Sequence, residues 1–229
     1  MNLLSKIFGN NSGKDLPAFA RSYLDSCRNI DQSSLLENIR FVVFDTETTS
    51  LDAKTARLLS ISAVSCTHNK IEVSSALDCY VAWADESRPE NIAIHGITKR
   101  QSNAGLQPEE VIEVFLNYIK GAVLVAQHID FDVAIVNKVL HKYYPGLKIK
   151  NYLLDTAQLA IRLEQPRMSS AGINPKDYTL DALLDRYGIE PLERHTALGD
   201  AYSTAELLIR LLPKLRKRGL KKLGDFLKR

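Results

Sequence analysis

Four apolar residues, Phe41-Val42-Val43-Phe44, follow one another without polar alternation, and the run ends abruptly in Asp45-Thr46-Glu47-Thr48-Thr49. Its aromatic and β-branched content suits a strand buried on both faces at the centre of a sheet. Residues 58–66 and 71–83 alternate loosely on either side of a His68-Asn69-Lys70 turn and, with the first strand, predict a three-stranded antiparallel meander. A helix is expected over 108–119, opened by Pro108 with Glu109 and Glu110 in its first turn. Residues 123–126 read as a short buried strand. The next helix opens at Asp130 or Asp132, carries Val133, Ile135, Val136, Val139 and Leu140, and stops before Pro145. A brief strand at 152–155, a helix over 156–163, a loop over 165–176, a helical face of Leu180, Leu183, Leu184 and Tyr187 closed by Gly188, and a long helix over 196–212 ending before Pro213 complete the pattern. Ahead of the first strand, residues 16–39 predict two short helices interrupted near Asn29-Ile30-Asp31. Antiparallel strands followed by strand-helix units give an α/β domain with a mixed central sheet over 41–212, preceded by a helical extension (1–40) and followed by a basic tail (213–229).

With 229 residues, 45% hydrophobic and 25% charged, the chain can bury one substantial core. No segment approaches the ~20 apolar residues of a membrane span, nor is the start apolar enough for a signal peptide, so an intracellular, cytoplasmic protein is expected. Cys27, Cys66 and Cys79 lack the spacing of a zinc site and read as reduced thiols. The net charge of +3 is uneven. From Lys214 onward Lys214, Arg216, Lys217, Arg218, Lys221, Lys222, Lys228 and Arg229 face only Asp225, which leaves residues 1–213 at −4. This tail is either a phosphate-contacting extension or a helix whose Leu215, Leu220, Leu223 and Phe226 or Leu227 dock on the domain.

The acids at the end of the first strand need a cause. Asp45 and Glu47, two positions apart, leave the same face of an extended strand. Two unpaired carboxylates there would repel and be costly to desolvate, and a divalent cation would remove both penalties. An acidic turn after a core strand is the alternative. Further acids stand at comparable positions: Asp132 at a strand-to-helix junction, Asp200 in a helix, with His195 just before that helix. Four carboxylates without thiols or a histidine cluster favour Mg²⁺ or Mn²⁺. Two such ions about 3.5 to 4 Å apart could stabilise the attacking and leaving oxygens of a phosphodiester. An imidazole could take the proton from water near neutral pH.

Asp45-Thr46-Glu47-Thr48-Thr49, the Phe131-Asp132 pair and His195-x-Ala197-x-x-Asp200 resemble, in order, the three motifs of the DEDDh exonuclease superfamily, typified by the proofreading epsilon subunit of bacterial replicative DNA polymerase. Ile94-His95-Gly96-Ile97-Thr98, Leu154-Asp155-Thr156, Leu180-Asp181-Ala182-Leu183 and Tyr187-Gly188-Ile189 extend the resemblance across roughly residues 41–212. Thr196 stands where a tyrosine-type variant of the superfamily has Tyr, which favours the histidine class. The resemblance implies a ribonuclease H-like fold and metal-dependent removal of nucleotides from a 3′ end. It makes Asp45, Glu47, Asp132 and Asp200 the ligands of two Mg²⁺ or Mn²⁺ ions and His195 the general base. It also puts Thr48, Leu51, His95 and Phe131 near the terminal nucleotides; Leu51 and Phe131 as core residues and His95 as a loop residue are the alternatives. Ser50 replaces the usual Gly, and Gln127-His128 replaces the usual His-Asn pair, to which no role is carried over. Asp130 reads as a helix N-cap, Asp155 as a strand-end or cap acid, and Asp52, Asp181 and Asp185 as capping or surface acids.

The expected activity is 3′-to-5′ hydrolysis of single-stranded DNA to nucleoside 5′-monophosphates, with a DNA polymerase or other replication or repair protein as a possible partner. An RNA-directed exonuclease resembling oligoribonuclease or ribonuclease T, and a catalytically silent nucleic-acid or polymerase-binding module, are the rival readings.

Overall fold

β1 (Phe41–Thr48) is the middle strand of a five-stranded sheet, ordered β3-β2-β1-β4-β5. β2 (Leu58–Cys66) and β3 (Ile71–Tyr80) extend it antiparallel on one side. β4 (Val123–Ala126) and β5 (Leu153–Asp155) extend it parallel on the other. This computed structural model describes residues 16–82, 97–165 and 172–227. The helices are α1 (Ala18–Arg28), α2 (Lys99–Asn103), α3 (Pro108–Tyr118), α4 (Ile129–Tyr143), α5 (Thr156–Glu164), α6 (Leu180–Tyr187), α7 (Ala197–Lys217) and α8 (Leu223–Leu227). Among the described residues, no helix is long and apolar enough to cross a membrane.

The unalternated run in β1 has the expected cause. Phe41 and Val43 pack with Leu154, Leu183, Leu208 and Leu211 on the α5–α6–α7 face, while Val42 and Phe44 pack with Ile112, Phe115, Ile135 and Val136 on the α3–α4 face. Helices therefore cover both sides of the sheet, the arrangement that makes a central strand apolar throughout. The mixed α/β architecture read from the sequence is the one found. Cys27, Cys66 and Cys79 are free thiols.

Several boundaries differ from the sequence expectations. The second helix before β1 is only a 3-10 turn, Leu36–Asn38, because the Asp31 carboxylate accepts from the Ser33 amide and hydroxyl and forms a local turn instead. β3 stops at Tyr80; Val81 forms an isolated bridge to Leu106, and Trp83 lies outside the described residues. The cap of α4 is His128 in the left-handed region (φ 55°), which places Asp130 in the first turn, not at the cap. α7 does not end before Pro213 but runs through it to Lys217. A proline there removes one helical hydrogen bond and costs about 3 kcal/mol. Leu211, Leu212 and Leu215 are all buried around it, and each contributes about 1.5–3 kcal/mol, so packing outweighs the break. Leu215, Leu223 and Phe226 belong to the core of that face, matching the docking alternative for the basic segment.

α1 is tied to the rest of the fold by a buried polar network. The Tyr23 hydroxyl donates to Asn151 Oδ1 (2.6 Å) and accepts from the Lys150 amide, while Asn151 Nδ2 donates to the carbonyls of Ile119 and Ala122. Burial, the largest influence on the Tyr23 phenol, pushes its pKa far up and keeps it a neutral donor. Asn151→Ala leaves the two carbonyls and the hydroxyl without this partner. We expect a loss of about 2–4 kcal/mol in urea unfolding with an unchanged m-value; a change below about 0.5 kcal/mol would show that the network contributes little.

Candidate active site

At the end of β1 the side-chain alternation that filled two cores delivers polar groups to the same two faces. Asp45 and Glu47 continue the face of Phe41 and Val43, and Thr46 and Thr48 that of Val42 and Phe44. Opposite the acids in the antiparallel pair stand Ser62 and Ser60, small residues that leave room. The first turn of α7 brings in Asp200, which is 9% exposed. Carboxylate oxygens of Asp45, Glu47 and Asp200 all lie within 4.8 Å of one another.

Asp132 comes from the first turn of α4, just past the end of β4, and is 4% exposed. The Thr46 hydroxyl donates to its Oδ1 at 2.6 Å, so the even-numbered face of β1 orients the fourth acid. Asp132 is outside the mutual 4.8 Å group but is the strongest charged neighbour acting on Asp45.

The electrostatics follow from burial and crowding together. Burial, then Asp132, Asp200 and Glu47, pushes the Asp45 carboxyl well above the usual carboxylate range, with Arg194 opposing. Burial, then Asp200 and Asp132, raises Glu47 to about 7. Burial raises Asp132 to about 7, against the opposing hydrogen bond from Thr46. Carboxyls buried and crowded in this way are under-compensated in charge. Oxygen-only donors at this spacing fit a hard divalent cation, and His195 adds no competing ligand among them.

The other predicted residues are dispersed around this centre. His195 is exposed on the segment between α6 and α7 with a left-handed backbone (φ 64°); the hydrogen bond from Arg194 chiefly, and His195 least, lower the Asp181 carboxyl nearby. Leu51 is 92% exposed, just beyond the acids, which excludes the core alternative for it. Thr48 is buried, its hydroxyl donating to the Ser50 carbonyl at 2.8 Å. Phe131 is half-buried against the α3–α4 core. His95 lies outside the described residues. Asp155 ends β5 and caps α5 by accepting from the Ala157 and Gln158 amides. Gln127 is fixed by the Thr156 hydroxyl (2.6 Å) and by donating to the Tyr178 carbonyl (2.7 Å).

Three supporting groups escaped the sequence reading. Thr46 is one. Lys138 is the second: its ammonium donates to the carbonyls of Lys54 (2.5 Å) and Ala56 (2.9 Å), tying the segment that follows Leu51 to α4. The third is Arg194, whose Nε donates to Asp181 Oδ1 at 2.7 Å and whose Nη1 pairs with Asp200 Oδ1. Asp181 is thus a surface acid, as expected, that also serves as an ion-pair partner. No local spacing announces these contacts.

Residues 42–208 match the family described as Exonuclease, of the RNase T type. The chain is 34% identical over 188 residues to a DNA polymerase III of PolC type from Caldanaerobacter subterraneus, covering 81% of this chain and 12% of that protein. It is 34% identical over 195 residues to a DNA polymerase III subunit epsilon-like protein from Rhodobacter capsulatus, covering 84% and 26%. Among solved structures, E. coli exonuclease I in complex with a dA16 oligonucleotide superposes with a TM-score of 0.62 at 17% identity, covering 79% of this chain and 42% of that one. The chain therefore spans only a small part of the length of these polymerase relatives.

The raised acid pKa values carry a signed consequence. An acid whose folded pKa exceeds its unfolded value takes up protons on folding, so it favours the folded state more as pH falls. Glu47 and Asp132 place the window between the ordinary carboxylate range, near 4.5 and 3.8, and about 7. In chelator, Asp45→Asn should therefore raise the Tm by about 2–6 °C at pH 8 and by much less at pH 5. Calorimetry across that range checks it; a variant less stable than wild type at pH 8 would mean that the acids do not repel.

Proposed function

We propose that this chain, which belongs to the exonuclease family, hydrolyses phosphodiester bonds from the 3′ end of single-stranded DNA and releases nucleoside 5′-monophosphates. The observation that carries this reading is the meeting of Asp45, Glu47 and Asp200 within 4.8 Å, with buried Asp132 beside them. Asp45, Glu47 and Asp200 are assigned to one Mg²⁺ or Mn²⁺ ion, and Asp45 with Asp132 to a second. When bound, the pair supplies positive charge at the attacking and leaving oxygens and lowers the pKa of water.

The chain's own groups do the rest. Thr46 orients the Asp132 carboxylate by donating to its Oδ1. His195, exposed on the segment that leads into α7 and Asp200, is assigned the proton of the attacking water. Leu51, almost fully exposed, offers an apolar face to the terminal base, and Thr48, His95 and Phe131 are assigned to the adjacent nucleotides. Contacts of this apolar kind grip any base sequence. The solved neighbour bound to a dA16 oligonucleotide supports DNA as the substrate. The PolC-type and epsilon-like relatives support a polymerase as a partner, hence proofreading or repair in the cytoplasm.

Incubation of 5′-labelled single-stranded DNA with the full chain and Mg²⁺ should give a descending ladder, and a matched RNA should be degraded more slowly. Absence of any cleavage with Mg²⁺ or Mn²⁺ would overturn the assignment, and faster loss of the RNA would reassign the substrate. His195→Ala should retain cation binding and lower the single-turnover rate by about 10²- to 10⁴-fold. An unchanged rate removes the histidine from the chemistry.

A further inference from the structure

Asp200 is shared between two competing roles. Its Oδ1 pairs with the Arg194 guanidinium, yet the same carboxylate belongs to the group of acids spaced for a cation. Arg194 also holds Asp181 on α6 through Nε, at 2.7 Å. The Arg194 and Asp200 side chains are 18% and 13% exposed, whereas that of Asp181 is 70% exposed. One end of this clamp is thus inside the acidic centre and the other at the surface.

The backbone that carries the clamp is set in an unusual way. Glu193 and His195, on either side of Arg194, both lie at positive φ (43° and 64°). Such conformations cost energy in residues with a Cβ and persist only where their surroundings enforce them. Part of the enforcement is visible. The Thr196 hydroxyl donates to the Glu193 carbonyl at 2.7 Å and accepts from the Gly199 amide at 3.1 Å. Gly199 itself permits the approach, since a Cβ there would lie 2.3 Å from the carbonyl oxygens of both Leu192 and Glu193. A further tie is the side chain of Arg194, next to His195 in sequence.

We propose that Arg194 is a positioning residue that stands in for the cation on Asp200 and gives up that carboxylate when a divalent ion enters, pivoting on Asp181 and moving the His195 segment with it. The exchange is a matter of charge: a guanidinium and a divalent ion on one carboxylate repel each other across a few ångströms, and the ion brings the larger charge. Asp181 makes the displacement inexpensive, because the released guanidinium keeps a partner at the surface instead of being left unpaired. In the absence of the ion, Arg194 offsets part of the repulsion among the acids and keeps Asp200 in place. The inference rests on the cation reading given above.

Crystal structures of the full chain grown in chelator and in Mg²⁺, together with calorimetric Mn²⁺ titrations of wild type and Arg194→Lys, test it. The expected result is Arg194 on Asp200 in chelator and off it, still on Asp181, with Mg²⁺ bound, and residues 193–195 displaced between the two. Lysine keeps the charge but cannot span both carboxylates as the planar fork does. Arg194→Lys should therefore bind Mn²⁺ at least about threefold more tightly. A bound ion with Arg194 unmoved, or equal affinities, would overturn this inference alone. Departure of Arg194 with the His195 segment unchanged would overturn the coupling. No ion bound to either protein would defeat the cation reading and this one with it.

Discussion

The repulsion among carboxylates gathered at the end of β1 is the constraint to which the surrounding structure answers. Like charges brought this close in a partly dry environment oppose folding: burial first, and then the neighbouring acids, drive Asp45 and Glu47 towards their protonated forms, and burial does the same to Asp132. Such an arrangement persists only on a rigid support. β1 supplies that support, being locked between strands on both edges and between helices on both faces. The apolar run at 41–44 and the acids at 45 and 47 are two parts of one device, a well-anchored strand that ends in charge.

The two faces of β1 divide the work. On the α7 side, Asp45 and Glu47 meet Asp200 directly. On the α4 side, Thr46 reaches across to hold Asp132. A single strand thus contributes two acids by one parity and orients a third by the other. Parallel pairing of β1 with β4 sets Phe41 beside Val123 and Val43 beside Val125, and so brings the start of α4 level with the acids of β1. This is the carboxyl edge of the parallel strands, where ligands collect in open α/β sheets. Lys138 secures the segment that follows Leu51, and Arg194 the segment that presents His195.

The sheet and the acids were legible in the sequence because their signals are local. A strand buried on both faces reads as unbroken hydrophobicity, and a two-residue spacing fixes a shared face. Gly188 as a left-handed cap and Asp155 as a side-chain cap were legible for the same reason. Other features were set by contacts distant in the chain. Pro213 reads as a stop by local rules, but the buried leucines on both sides of it carry α7 onward. Asp130 has the right residue type for a cap, yet the chain turns two residues earlier, at His128. Arg194 and Asp181 are thirteen residues apart, and nothing in their spacing tells that they meet. The periodicity of a sequence reports which face a residue takes, not which partner awaits it there.

Taken together, the match over 42–208, the mixed sheet and the convergence of acids describe an exonuclease-family domain whose charge is incomplete without a cation. The most direct measurement of that claim is anomalous diffraction from crystals of the full chain soaked in Mn²⁺. The account predicts anomalous density between the carboxylates of Asp45, Glu47 and Asp200 at neutral pH. Ordered Mn²⁺ elsewhere, with none at these carboxylates, would contradict it.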